Sequence, residues 1–410
     1  MNPKLKKPQT FYLLTKQFNL KNKNKIKFQK KYTKERSFFM IKIAIDAMGG
    51  DFAPLEIVKG TLLALNKNKE LHVVLYGNQK LITPLIEKTP FFGNNQITIK
   101  HTPYFLRSAD KNIRDQLKAT PNASLFLALE AAKQDEVQGV VSAGATQILV
   151  LASHLILKKM PLMQRIAIAP MFNSFDNRTR ILLDAGANTE LKPQHLHTFA
   201  NYATIIAKEI LEIPNPQIKL LNIGTEPTKG RALELETYQL LSQDSNLNFG
   251  GNEEPQNLLT TSADILLSDG FTANIALKTY EGTILNFMNH LKTILTKNLI
   301  KKMATKTLFK KPLQQLKNQL DPRQIGGAML LGLNKIVIKA HGSSQAYAFC
   351  QAILQAQKLI KAQVNQKIAH SLESAKNKET QSKQTSTTNT APKTSETPKN
   401  SETTKESQPL

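Results

Sequence analysis

Six short polar runs, each placed directly after an apolar stretch, hold the residue types that anion and acyl chemistry require: AIDAMGGDFAP, VVSAGATQ, LLDAGANTELKP, LLNIGTEPTKG, LLSDGFTANIALK and IKAHGSSQA. Phosphate is bound by backbone N–H groups, hydroxyls and one or two cations, and Ser142, Thr146, Lys229, His341, Ser343 and Ser344 supply those types. A tetrahedral oxyanion needs positioned neutral donors, for which the amides of Asn188, Asn222 and Asn274 are candidates. Gly49, Gly50, Gly144, Gly186, Gly224, Gly270 and Gly342 let the backbone turn tightly and approach a ligand. Asp46, Asp184 and Asp269 close three of the apolar runs, where a carboxylate serves either as a base or as a loop and helix cap. Lys229 is open to two readings, phosphate ligand or solvated charge. His341 is similarly open between general acid/base, anion donor and structural donor.

The chemistry these residues could carry is phosphate attack on an activated acyl carbon. A thiolate leaves readily and phosphate dianion is already nucleophilic, so positioning and charge neutralisation carry the rate without a metal, cofactor or covalent intermediate. Other site classes are not spelled out. There is no GxGxxG followed by an acid, no GxxxxGK[ST], no HExxH, no GxSxG and no paired CxxC.

Positioning such runs calls for a parallel sheet. Short apolar segments alternate with longer amphipathic ones from about residue 41 to 370, the pattern of βαβ units, and ligands of open α/β sheets gather at the carboxyl ends of strands. Strands are expected near residues 42–46, 71–76, 97–100, 137–142, 165–171, 180–184, 219–222, 264–268 and 335–339, with helices between most of them. A projecting helical pair is expected over about 272–320. Residues 1–40 form a Lys/Asn-rich extension and 371–410 a Ser/Thr/Lys/Glu tail, and neither has the apolar periodicity needed to repay its ordering entropy. The extension lacks the apolar core of a secretory signal.

Composition narrows the partners. The chain carries a formal net charge of +24, which favours an acidic partner. Nucleic acid is disfavoured: aromatics are 6% with no Trp, and the core, from about residue 41 on, lacks an interleaved aromatic–basic stretch. No apolar run approaches the roughly 18 residues of a membrane span. The single cysteine, Cys350, sits in the apolar run AYAFCQAILQA and is expected to be core packing.

Together these segments resemble the PlsX-type phosphate acyltransferases. The match runs in order over residues 41–361: IAIDAMGGDFAP, VVSAGAT, LLDAGAN followed by LKP, LLNIGTEPTKG, the DGF-x-x-N-x-x-LK-x-x-EG run ending at Gly282, and GGAMLLGLNKIVIKAHGSS. Ala145, Gln147, Ala273 and Lys335 depart from the family pattern, and ADKNIRDQLKATPNASL matches its counterpart only loosely, keeping Lys111 and Lys118. The resemblance implies a doubly wound, mainly parallel α/β fold of the isocitrate/isopropylmalate dehydrogenase type. It implies transfer of a fatty acyl group from acyl carrier protein to inorganic phosphate in phospholipid synthesis. A cytoplasmic homodimer that passes acyl phosphate to a membrane glycerol-3-phosphate acyltransferase is implied as well. The basic segment 297–311, in which Leu299, Ile300, Met303, Leu308 and Phe309 alternate with lysines, is expected either to touch an anionic bilayer peripherally or to be a solvated helix tip. Phosphate acetyltransferase-like and dehydrogenase-like enzymes are the alternatives on such a fold.

Overall fold

The computed structural model describes residues 40–106, 112–161, 163–298, 303, 305–320, 326–371 and 373–374. It divides into a large unit, residues 1–365, and a second, 366–410, whose described part is helical.

Apolar runs buried on both faces become the central strands. IKIAID forms β1 (Ile41–Asp46), GVVS β4 (Gly139–Ser142) and IVIKA β11 (Ile336–Ala340), and all but one of their residues are buried. Continuous rather than alternating burial is what helices on both faces of a parallel sheet demand. The other strands are β2 (Leu71–Gly77), β3 (Ile97–His101), β5 (Ala167–Asn173), β6 (Thr179–Leu183), β7 (Gln217–Leu221), β8 (Asn248–Glu253), β9 (Ile265–Leu267) and β10 (Gly327–Leu331). Between them lie α1 (Leu55–Lys67), α2 (Gln79–Ile86), α3 (Ile113–Ala119), α4 (Ser124–Lys133), α5 (Thr146–Leu157), α6 (Pro193–Ile210), α7 (Ala232–Gln243), α8 (Gly270–Thr296), α9 (Lys310–Leu320) and α10 (Ala346–Lys361). Helix α1 packs on α10, and α4 on α5. At the first contact Gly60 brings the backbones together: a Cβ there would lie 2.6 Å from Ala346 O.

The strands join in one 11-stranded sheet ordered β3-β2-β1-β4-β11-β10-β5-β6-β9-β7-β8. This is the expected doubly wound, mainly parallel architecture, with one organising detail added. β3, β2, β1, β4 and β11 are mutually parallel, as are β6, β9, β7 and β8. Between these halves β10 runs antiparallel to both β11 and β5, and β5 antiparallel to β6. The two halves therefore run in opposite directions, and their carboxyl ends point to opposite edges of the sheet.

Two strands, β8 and β10, were not among those expected from sequence. NFGGNE offers little apolar signal, and GAMLL is a short unbroken apolar run whose antiparallel direction no periodicity reports. Helices α8 and α9 occupy the stretch read as a helical pair, and α9 is tied down where Gln319 Nε2 donates to Phe175 O at 2.7 Å. The Lys-rich centre where the turn between them is expected lies in part outside the described residues, as do 1–39, Lys111 and all of 375–410. Only part of the basic segment 297–311 is therefore described. There Met303 and Phe309 are exposed. Cys350 is buried in α10. Among the described residues, no helix is long and apolar enough to cross a membrane.

Candidate active site

Three loops at the carboxyl edge of the first half meet over β1, β4 and β11. Asp46 ends β1 and is buried; its carboxylate accepts from Ser124 Oγ and Ser142 Oγ, each at 2.7 Å, and from Met48 N at 3.4 Å. Burial pushes its pKa up, and these hydrogen bonds oppose the shift. Ser142 Oγ in turn accepts Gly144 N–H at 3.0 Å, so the turn into α5 is held from below. Gly49 fits against Asp46 Oδ2, Ser142 Oγ and Gly144 N, where no Cβ could be placed. Gly50, at φ +107°, packs on Ala143 and Gly342 O. The next residue, Asp51, donates its N–H to Gly342 O at 2.9 Å, and its carboxylate lies beside the Gly342 α-carbon.

Helix α5 begins at Thr146 with no side-chain hydrogen bond from its N-cap, Ala145. Thr146 and Gln147 are exposed there, and the first-turn amides have no side-chain cap. The β11 loop supplies the rest. His341 and Ser343 are exposed, and His341 Nδ1 lies 2.8 Å from Ser343 Oγ and accepts Ser343 N–H at 3.3 Å. Ser344 is buried, donates its N–H to His341 O at 3.0 Å, and keeps an Oγ without a hydrogen-bond partner among the described residues. Lys339, two positions before His341, is a buried ammonium donating to Ala340 O. Burial lowers its pKa to about 8, against the attraction of Asp51.

The second group forms at the carboxyl edge of the other half. Asp184 follows β6, is fully buried, and accepts five hydrogen bonds: from the N–H groups of Ile168, Gly186, Ala187 and Asn188, and from Asn188 Nδ2. The other Asn188 amide hydrogen goes to Ile166 O at 2.7 Å, and Asn188 O accepts Gly270 N–H at 2.8 Å. Both amide hydrogens of Asn188 are thus committed to holding the loop. Gly270 starts α8 pressed against Asn188 O, leaving no room for a side chain. Asp269 caps that helix, accepting Thr272 N–H at 2.7 Å, and pairs with Arg231. Arg231 also pairs with Glu234.

The Arg231–Asp269 pair ties the loop after β7 to this group. Asn222 Nδ2 donates to Lys229 O at 2.9 Å and its Oδ1 accepts Ile223 N–H at 2.8 Å, so it too is a brace. Gly224 lies against the Lys229 stem, and Lys229 itself is exposed.

Helix α8 links the two edges. Asn274, in its second turn, donates to Ala185 O at 2.9 Å and abuts Gly186 at φ +128°. From there the helix crosses the sheet, and Tyr280 meets Phe172, near the far end of β5, with ring centroids 6.0 Å apart. That end is level with the end of β11, since Pro170 pairs with Ala328 and Gly327 with Ala340. One turn after Asn274, Lys278 comes within electrostatic reach of His341. Desolvation is the main cause that lowers the His341 pKa, followed by Lys339 and, more weakly, Lys278, with Asp51 opposing.

The structure therefore gathers Asp46, Gly49, Gly50, Ser142, Gly144, Thr146, His341, Gly342, Ser343 and Ser344 in one place. It sets Asp184, Gly186, Asn188, Asp269, Gly270 and Asn274, with Asn222, Gly224 and Lys229 alongside, at the start of the helix that bridges to it. Sequence reading missed Asp51, Ser124, Arg231, Lys278 and Lys339. All but Ser124 lie in or beside the polar runs, but charged residues there carry no mark separating a site ligand from a surface charge.

The profile of the family described as "Fatty acid synthesis protein" matches residues 41–367. The chain is 98% identical over 317 residues to a phosphate acyltransferase of Onion yellows phytoplasma, covering 77% of this chain and 87% of that protein. A phosphate acyltransferase of Acholeplasma laidlawii is 43% identical over 318 residues, covering 77% and 94%. Among solved structures, a phosphotransacetylase from Streptococcus pyogenes superposes with a TM-score of 0.52 at 17% identity, covering 80% of this chain and 98% of the other, a likeness of fold alone. With a family match over most of its length and a relative this similar, the chain belongs to the fatty acid synthesis protein family, as an acyltransferase enzyme of the PlsX phosphate acyltransferase type in lipid synthesis.

Proposed function

We propose that the enzyme moves a fatty acyl group from the thioester of an acyl carrier protein to inorganic phosphate, releasing acyl phosphate and free carrier protein. The observation that carries this reading is the meeting of three strand-end loops, at Gly49–Asp51, Ser142–Gly144 and His341–Ser344, beside an uncapped helix start. Such a place offers backbone amides, hydroxyls and a histidine to one small anion. Lys278, delivered by α8, and buried Lys339 add positive charge on the same side. A phosphate oxygen held there attacks the thioester carbonyl carbon, the C–S bond breaks, and the thiolate takes a proton from water. Asp46 supports the floor of the site, and Asn188, Asn222 and Asn274 hold the loops from which Lys229 and α8 project.

The excess of basic residues fits an acidic carrier protein, whose approach it would accelerate. In keeping with the resemblance, we place the enzyme in the cytoplasm as a homodimer handing acyl phosphate to a membrane glycerol-3-phosphate acyltransferase, with 297–311 as its peripheral membrane contact. Incubation with palmitoyl carrier protein and radiolabelled phosphate, followed by hydroxylamine trapping, tests the reaction. Hydroxamate above a heat-killed control is expected, and its absence would overturn the reading.

A further inference from the structure

His341 has an unassigned role, and its two ring nitrogens are not equivalent. Nδ1 faces Ser343, whose backbone N–H points at it across 3.3 Å and whose Oγ lies at 2.8 Å. A backbone N–H can only donate, so Nδ1 must be the acceptor and the ring proton of the neutral form sits on Nε2. Nε2 has no hydrogen-bond partner among the described residues, and the ring is exposed. Its N–H is therefore left free to meet a ligand at the loop that Gly342 shares with the Gly50–Asp51 turn.

The charges around the ring point the same way. Lys339 lies below it on β11, Lys278 reaches it from α8, and Asp51 from the turn after β1 opposes them. Two cations against one carboxylate, with partial desolvation, discourage a positive charge on the imidazole.

We propose that His341 acts as a neutral hydrogen-bond donor, through Nε2–H, to the oxygen that becomes negative on the thioester carbonyl, and not as a proton carrier. This rests on the acyl-transfer reading above. As the phosphate oxygen bonds to the carbonyl carbon, the carbonyl electron pair moves onto oxygen and is met by Nε2–H. When the C–S bond breaks, that pair returns to re-form the carbonyl, and His341 keeps its proton throughout. A neutral donor suits this task because it matches charge that exists only in the transition state.

Two measurements on the full chain test the inference. In the uniformly 15N-labelled protein, two-bond 1H–15N correlation spectra, with the His341 signals assigned from their loss in His341→Gln, should show the Nε2–H tautomer near pH 7. An Nδ1–H tautomer or a charged ring would overturn it. This readout needs no turnover, so it stands even if wild-type enzyme forms no hydroxamate and the reaction itself is misassigned.

In the hydroxamate assay, His341→Ala and His341→Asn should lower kcat by about 10²–10³-fold with little change in the KM for phosphate, the size of a lost oxyanion donor. His341→Gln, whose amide can reach the position of Nε2, should recover about tenfold or more over Ala. A Gln variant no better than Ala would indicate proton transfer and sink the idea. So would a raised phosphate KM at unchanged kcat, which would place the donor on the ground-state anion.

Discussion

Ser142 Oγ donates to Asp46 Oδ2 across 2.7 Å, joining the ends of β4 and β1 beneath the glycine turns that frame the candidate site. Both residues are buried, and the same hydroxyl oxygen accepts Gly144 N–H. One side chain therefore solvates a buried carboxylate and fixes the turn into α5. Ser142→Ala should cost about 1–3 kcal/mol in urea unfolding, since it leaves an acceptor and a donor without partners. The pH dependence has a definite sign. Burial holds the native Asp46 pKa above its unfolded value, so the ionisation of Asp46 lowers stability as pH rises from about 4. Removing a donor to the carboxylate should raise its native pKa further and carry that fall on to higher pH, and an unchanged pH profile of stability would show that Ser142 does not serve Asp46.

Asp184 makes a stronger case for a structural carboxylate. Four backbone N–H groups and the Asn188 amide converge on it, which leaves little lone-pair capacity for a substrate. Asp184→Asn would turn an NH₂ group toward those donors. We expect a loss of roughly 2–4 kcal/mol in thermal or urea unfolding, with two or more donors left unmet. A variant of normal stability but reduced turnover would instead make Asp184 a reacting group.

How much of this was legible in the letters depends on what each letter had to report. The loops at Gly49–Gly50, Ser142–Gly144 and His341–Ser344 announced themselves because small and polar residues follow buried strands, and their strands are parallel neighbours. The reversal between the two halves was invisible. It is set at the β5–β6 pairing, where β6 runs back along a β5 that still shares the direction of β11, and neither apolar run reports its own direction, so the six loops divide between two edges. Asn188 shows a second limit. An exposed-looking amide in a Gly-containing run cannot reveal that Ile166 O and Asp184 will take both of its hydrogens. Lys278 shows the reverse, since it becomes relevant only because Asn274 and Tyr280 fix how α8 crosses the sheet.

Lys229 and Arg231 stand two positions apart and should behave oppositely. Lys229 is exposed, with its backbone carbonyl rather than its ammonium engaged, so Lys229→Ala should leave unfolding within about 0.5 kcal/mol of wild type while lowering turnover. Arg231 bridges two buried carboxylates, Glu234 and Asp269. Arg231→Ala should cost roughly 1–3 kcal/mol by leaving them without their donor, discounted because the guanidinium is itself more than half exposed. Urea unfolding and the hydroxamate assay on both variants separate the two roles. Full activity in Lys229→Ala would remove it from the site.

Lys339 gives the sharpest dependence on pH. Its ammonium is buried under the His341 loop, and burial brings its pKa down to about 8 from the ordinary 10.5, so the charged form is held at a cost to the fold. Between those two values the unfolded chain binds more protons than the native one, and stability must rise with pH across that window. The shift corresponds to about 3 kcal/mol as an order of magnitude, felt in full below pH 8. Lys339→Met keeps the length and apolar stem without the charge. It should be more stable than wild type at neutral pH, by up to that amount, and should lose the rise in urea midpoint between about pH 8 and 10. With its nearest cation gone, the His341 ring should also protonate more readily, so its titration followed by NMR should move to higher pH. A Met variant whose stability and His341 titration both match wild type would show that the Lys339 ammonium is solvated and plays no part in keeping the histidine neutral.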